Sequence, residues 1–218
     1  MNANFKELIG LIEKISRIHT QFRPKREYEN KLLTQSLTHL VEQLGKDLGK
    51  VIDLDLSGFD PDQIPPKHKT MLKEVLIQLL RNAVSHGVEQ PEVRGSAGKP
   101  EKGKIQITTS LNGKDFQIEV RDDGRGIDPV ILRERAAELN LSLPGKKKSW
   151  SAEQWMQMIF MPGFSTAKTA DLIAGRGIGM DLVKRKIEQA KGSITVCSEK
   201  GKNCVFTVQL PADPVAKN

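Results

Sequence analysis

The stretch LLRNAVSHGVEQPE, residues 79–92, decides how the rest of this chain reads. It closes an apolar pattern in which Leu72, Val75, Leu76, Leu79, Leu80 and Ala83 recur at spacings of three and four, the period of one buried helix face. Gly87 supplies the stop. Against that face, Gln78, Asn82 and His86 stand at four-residue steps and predict one polar stripe on a helix over about 67–86. The stripe is either a solvent-facing row of uncharged residues or a row of ligands aimed into a site, and the helix alone does not choose between them.

Upstream, apolar residues at helical spacing run over 4–21 and again over about 28–48, with Pro24 and a basic cluster between them. VIDLDLSG, 51–58, alternates as a strand does, and FDPDQIPPKH is a proline-rich loop. Downstream, residues 88–102 read as a loop rich in Gly and Pro. KIQITTSL and DFQIEVRD alternate as strands joined by Asn112-Gly113, a strong hairpin signal. A helix over about 129–139 comes next, then a short one opened by the capping box Ser151 to Gln154. MDLVKRKIEQAKG reads as another helix, and SITVCSE and CVFTVQLP as closing strands. This order predicts an α+β fold, a two-layer sandwich with helices on one face of a mixed, mostly antiparallel sheet, plus an N-terminal helical extension.

The 218 residues suffice for one sizeable core. No apolar run approaches a membrane span, and the N-terminus lacks the features of a signal peptide, so a cytoplasmic location is expected, either alone or as the inner part of a larger membrane-associated sensor. Cys197 and Cys204 form no CxxC pattern and have no nearby histidines; they read as two small core residues, with facing positions on a hairpin as the alternative. A net charge of +7 favours an anionic partner. Nucleic acid is not expected, because the KKK block at 146–148 has no interleaved aromatics and reads as a solvated loop.

Two glycine motifs bear on the stripe. Asp122-Asp123-Gly124-Arg125-Gly126 places a carboxylate at a strand end before two glycines, where it can accept from an exocyclic amine while the glycines let backbone approach a flat ring. By itself DxGxG is equally well a turn after a strand. Gly175-Arg176-Gly177-Ile178-Gly179 opens a helix, where exposed N–H groups and the helix dipole suit a phosphate chain. The spacing is not that of the dinucleotide fingerprint, and no GxxxxGK[ST] loop is present.

Asn82 in its helix, DDGRG at 122–126, PGFST at 162–166 and GRGIGM at 175–180 resemble, in order, the N, G1, F and G2 boxes of the GHKL (Bergerat-fold) ATP-binding superfamily. RNAVSHGVE, PEVRGSAGKP, IFMPGFST and GRGIGMDLVKRKIE are similar to the catalytic domain of CheA-type chemotaxis histidine kinases, over about residues 36–211. The resemblance implies ATP and Mg²⁺ as cofactors. It assigns Asn82 to Mg²⁺, with Arg81 and His86 as neighbours at the phosphates, and Asp122 to the adenine amino group. Gly124 and Gly126 would line the adenine pocket. Phe164, Ser165, Thr166 and Lys168 belong to a lid, with Lys168 in reach of the γ-phosphate, and Gly175, Gly177 and Gly179 would hold phosphates. The partners implied are a phosphoacceptor histidine domain and a response regulator, in trans or elsewhere in a longer protein, and a homodimer is a further expectation. Residues 1–35 would be a helical linker or dimerisation remnant, 36–212 the ATP-binding kinase domain, and 213–218 a tail.

Three positions depart from the pattern. Gln78 stands where CheA has histidine and hydrolysing relatives have glutamate; an amide cannot act as a base, which disfavours hydrolysis but leaves transfer to a nucleophilic histidine open. Ser85 replaces the usual aspartate, and Cys204 replaces a threonine hydroxyl. These departures leave a degenerate, non-catalytic nucleotide-binding signalling module as the alternative. His19 is followed at the fifth position by Pro24, as in a phosphoacceptor box, but lacks the acidic neighbour, so the acceptor is expected on another domain or subunit.

Overall fold

The computed structural model describes residues 3–139, 150–162, 164 and 179–212, with side chains from residue 25 onward. The chain divides into two units, Met1–Ser36 and Leu37–Asn218. Helix α1 (Ala3–Asp47) is continuous where the sequence pattern predicts two helices separated at Pro24. A proline costs the carbonyl four residues earlier its donor. The flanking residues QFRPKREYENK contain no glycine stop and several good helix formers, so the helix propagates through it. In the second unit α1 buries Leu37 and Val41 and closes with Gly49 at φ 65, letting the Lys50 N–H donate to the Gly45 carbonyl at 2.8 Å.

Strand β1 (Ile52–Gly58) leads through two short 3₁₀ turns to α2 (Lys69–Asn82), which continues into a π turn over Ala83–Gly87. The stretch predicted as loop contains a short helix, α3 (Pro91–Ser96), begun by Pro91 at its first position. That placement is where proline's fixed φ and missing N–H cost nothing. Strands β2 (Gly103–Asn112) and β3 (Asp115–Asp122) form the expected hairpin, but the turn is set one residue later than the Asn-Gly pair suggests. Asn112 pairs with Asp115, and Gly113, at φ 62, takes the first central position, as in a type II′ turn.

Helix α4 (Pro129–Glu138) is capped by Asp128, and α5 (Ala152–Met156) carries both bonds of the Ser151/Gln154 capping box. Helix α6 (Met180–Gln189) and strands β4 (Ser193–Glu199) and β5 (Asn203–Pro211) complete the described elements. The sheet order is β1-β2-β3-β5-β4, with β1 parallel to β2 and the other pairs antiparallel.

One sheet face is apolar because every second residue points to it. Ile105 and Ile107, then Phe116, Ile118 and Val120, then Phe206, Val208 and Leu210, then Ile194 and Val196 are all buried there. Leu72, Val75, Leu76 and Leu79 of α2 and Val183 and Ile187 of α6 complete this core. The cysteines part company: Cys204 is buried on this face, whereas Cys197 is exposed, so the expectation of two core cysteines holds for one only. Cys197 pairs with Val205 and Cys204 with Ser198, which puts the two sulfurs on opposite faces of the hairpin.

Candidate nucleotide site

The alternation of β3 places Asp122 on the apolar face, two residues beyond Val120, where it is only 3% exposed. Across the sheet it pairs with Ile105 on one side and Cys204 on the other. Burial pushes its carboxyl up to about 6; nearby Asp123 and Glu89 add to this, and the Gly124 N–H and Lys99 oppose it. The Gly124 N–H donates to Asp122 Oδ1 at 3.0 Å, which fixes the side chain's direction. A carboxylate buried in an apolar wall against the preference of its charged form is a candidate binding group.

Glycines surround it for steric reasons. A Cβ on Gly87 would lie 2.9 Å from Asp122 Oδ1, and one on Gly124 would lie 2.2 Å from the Gly87 carbonyl oxygen. Gly126, at φ 64, has no room either, since a Cβ would lie 2.3 Å from the Glu199 carbonyl oxygen. The Arg125 N–H donates to the Gly87 carbonyl at 3.0 Å, and the Arg125 carbonyl accepts from the Gly201 N–H at 2.7 Å. The turn after β3 is thereby joined to the end of the α2 helix and to the β4–β5 hairpin. Ser198 fastens the same hairpin: its hydroxyl accepts from the Ile127 N–H at 2.8 Å and donates to the Asn203 carbonyl at 2.6 Å.

Asn82 is half-buried at the last residue of α2. Its Oδ1 accepts from Gln78 Nε2 at 3.1 Å, and its Nδ2 lies 2.9 Å from the sulfur of Met180, the first residue of α6. Two segments 98 residues apart thus meet at the head of α6, next to Gly179, where a Cβ would lie 2.4 Å from Asp181 Oδ1. The helix ends in a π turn, closed by the Val88 N–H donating to the Ala83 carbonyl at 2.8 Å; Gln78 and Asn82 are bonded to each other, and His86 is exposed. Arg81 is also exposed. Phe164 is half-buried, its N–H donating to the Met161 carbonyl at 3.1 Å. Ser165, Thr166, Lys168, Gly175 and Gly177 lie outside the described residues.

Several further residues support the site, Lys50 outside any motif and Arg94 and Lys99 inside PEVRGSAGKP, where the sequence assigned them no role. Lys50 donates to the carbonyls of Val84 and Ser85 at 2.7 and 3.0 Å, satisfying acceptors that the π turn leaves open. Burial and the neighbouring Arg125 lower its pKa, with Glu89 opposing. Arg94, fully buried, and Lys99 hold Asp123 and Glu89 beside the Asp122 turn. The motif PEVRGSAGKP marked this stretch, and Pro91 at the helix start is the local signal of its short helix. Among the described residues no group of three His, Cys, Asp or Glu could hold a metal ion, and no helix is long and apolar enough to cross a membrane. The side-chain amide oxygen of Asn82 is a hard oxygen donor of the kind Mg²⁺ accepts.

The sequence pattern described as "Histidine kinase-, DNA gyrase B-, and HSP90-like ATPase" matches residues 67–214. The gliding motility regulatory protein of Myxococcus xanthus is 40% identical over 174 residues, covering 78% of this chain and 22% of that protein. The chemotaxis protein CheA of Bacillus subtilis is 37% identical over 175 residues, covering 79% of this chain and 25% of that protein. The chain thus spans about a quarter of the length of these relatives. Among solved structures, the nucleotide-free catalytic domain of the histidine kinase ThkA superposes with a TM-score of 0.54 at 20% identity, covering 84% of this chain and 93% of that one, which shows the shared fold.

Proposed function

Given that the chain belongs to the histidine kinase-, DNA gyrase B- and HSP90-like ATPase family, we propose that it is the ATP-binding catalytic domain of a CheA-type sensor histidine kinase in two-component signalling. The observation that carries this reading is Asp122: a buried carboxylate on the apolar sheet face, aimed by the Gly124 N–H in a turn where Gly87 and Gly124 pack too closely for any side chain. In this role it accepts the adenine amino group, and Gly124 and Gly126 line the ring. Asn82 holds Mg²⁺, which would neutralise phosphate charge when bound. Arg81 and His86 border the phosphates, Gly175, Gly177 and Gly179 cradle them through backbone N–H groups, and Phe164, Ser165, Thr166 and Lys168 cover them.

A neutral imidazole nitrogen of an acceptor histidine, on a separate domain or subunit, attacks the γ-phosphorus. The bond from that phosphorus to the bridging oxygen breaks, ADP leaves, and the imidazole proton passes to solvent. With little covalent chemistry for side chains to do, the rate comes from positioning and charge stabilisation. The phosphoryl group would then pass to a response regulator. Residues 1–35 serve as a linker or dimerisation segment, residues 36–212 as the kinase domain and 213–218 as a tail, in a cytoplasmic protein or the cytoplasmic part of a larger sensor.

Calorimetric titration with Mg-ATP tests the site. Asn82→Ala and Asp122→Asn are each expected to weaken binding by tenfold or more, roughly the cost of one lost charged hydrogen bond or metal ligand; affinities equal to wild type would overturn the assignment. A second reading, a nucleotide-binding module without transfer, is favoured by the Gln78 amide donating to Asn82 Oδ1, the atom a metal needs. Radiolabelled phosphohistidine on a supplied acceptor domain decides for the kinase, and its absence with intact ATP binding decides for the module.

A further inference from the structure

The carbonyls of Asp123 and Gly124 come after the last paired residue of β3 and so lie off the strand ladder. A carbonyl in such a turn needs a partner or pays for desolvation. Lys99 supplies one to each: its ammonium donates to the Asp123 carbonyl at 2.9 Å, to the Gly124 carbonyl at 2.8 Å and to Glu89 Oε1 at 2.8 Å. All of its donors are used.

Arg94 works on the same turn from the other side. Its two terminal nitrogens grip the Asp123 carboxylate at 3.1 and 2.8 Å, one of them also reaches Glu89 Oε2 at 3.1 Å, and Nε donates to the Pro100 carbonyl at 2.7 Å. Asp123 Oδ1 also accepts from the Lys104 N–H at 2.9 Å. Two cations face two carboxylates, so the cluster is neutral. Burial raises the Glu89 carboxyl, but the Lys99 hydrogen bond and the charges of Lys99 and Arg94 bring it below its ordinary value. Arg94 is fully buried and Glu89 nearly so while Asp123 reaches solvent, and an ion network of this kind adds little stability compared with apolar packing of the same volume.

The turn held by this network is that of the proposed adenine site. Glu89 is two residues beyond Gly87, whose carbonyl takes the Arg125 N–H, and Gly124 both accepts from Lys99 and aims Asp122 through its own N–H. We infer that Lys99 and Arg94 are positioning residues for the nucleobase, a clamp that holds the Asp122–Gly124 turn where it can select a purine bearing an exocyclic amine. This rests on the reading of Asp122 as the adenine acceptor. Without the clamp the turn relaxes, Asp122 loses its fixed direction, and preference for an amine over a carbonyl at the purine's six position declines.

The test compares ATP with inosine triphosphate, which carries that carbonyl, by calorimetry on the full chain. Lys99→Met keeps the aliphatic stem and removes every donor. It is expected to reduce the ratio of ATP to inosine triphosphate affinity by about tenfold, to speed amide exchange at Gly124 to Gly126, and to be partly rescued by Lys99→Arg. A folded Lys99→Met with the wild-type ratio overturns the clamp, as does an equal weakening for both nucleotides, which is what a merely structural role would give. Should Lys99→Met not fold, Glu89→Gln, which keeps the shape and removes one charge, carries the same comparison with the same criteria. Wild type binding neither nucleotide overturns the adenine reading and the clamp with it, whereas wild type preferring ATP with unchanged variants overturns the clamp alone.

Discussion

Asp122 occupies a place where the alternation of β3 calls for an apolar side chain, and its ionised form is correspondingly disfavoured. The folded-state pKa of about 6 exceeds the reference 3.8, so ionised Asp122 opposes folding. Its stabilising, protonated form is fully present below 3.8 and is lost as pH rises through about 6. Asp122→Asn should therefore stabilise the nucleotide-free chain at pH 7.5 by up to roughly 3 kcal/mol, the gain shrinking as the pH falls toward 4. Urea unfolding across that range checks it, and a gain independent of pH would refute the assigned cause. Gly124→Ala goes the opposite way. Its Cβ would meet the Gly87 carbonyl oxygen at 2.2 Å, both backbones are constrained, and a loss of about 1–3 kcal/mol together with loss of ATP binding is expected. The sequence pointed to both residues through their spacing, but only the register of β3 between β2 and β5 shows why the carboxylate is buried.

Among the elements, the join between α2 and its π turn matters most. The π turn ends the helix with Gly87 packed against Asp122. Lys50, leaving the end of α1, secures that turn by its bonds to the carbonyls of Val84 and Ser85. Lys50→Met strands both acceptors and is expected to cost about 1–3 kcal/mol, visible as a lower denaturant midpoint, with weaker ATP binding because Gly87 moves. An unchanged midpoint would mean that water replaces the ammonium at no cost. The buried face of α2 offers a plain comparison: Leu76→Ala, at a residue with no exposure, should cost about 2–5 kcal/mol. That face was legible because one period of 3.6 generated it. The π turn was not, since inserting one residue into a helix leaves no mark in the pattern, and α3 was hidden in a stretch whose glycines and prolines outweighed the start at Pro91.

Over the chain as a whole, a net charge of +7 surrounds a site proposed to take a polyanion. The association rate for ATP should decrease several-fold as salt rises from about 0.05 M to 0.5 M, because screening shortens the range of the attraction; stopped-flow rates insensitive to salt would show that the net charge does not steer. Local sequence sufficed for the class of fold, most of the helices and strands, the hairpins and the cap at Ser151, because these depend on short periods and on turn and cap chemistry within a few residues. It also marked Asn82, Asp122 and the glycines through their order and spacing. The structure was needed to show that α1 runs through Pro24, and tertiary packing that one cysteine is buried and the other exposed and that Asn82 meets Met180 across 98 residues of chain. It alone revealed what Lys50, Arg94 and Lys99 touch, although the last two stand in the motif PEVRGSAGKP. Their partners are carbonyls and carboxylates brought close by the sheet register, and no local pattern of residue types encodes a contact whose two halves are placed by separate elements.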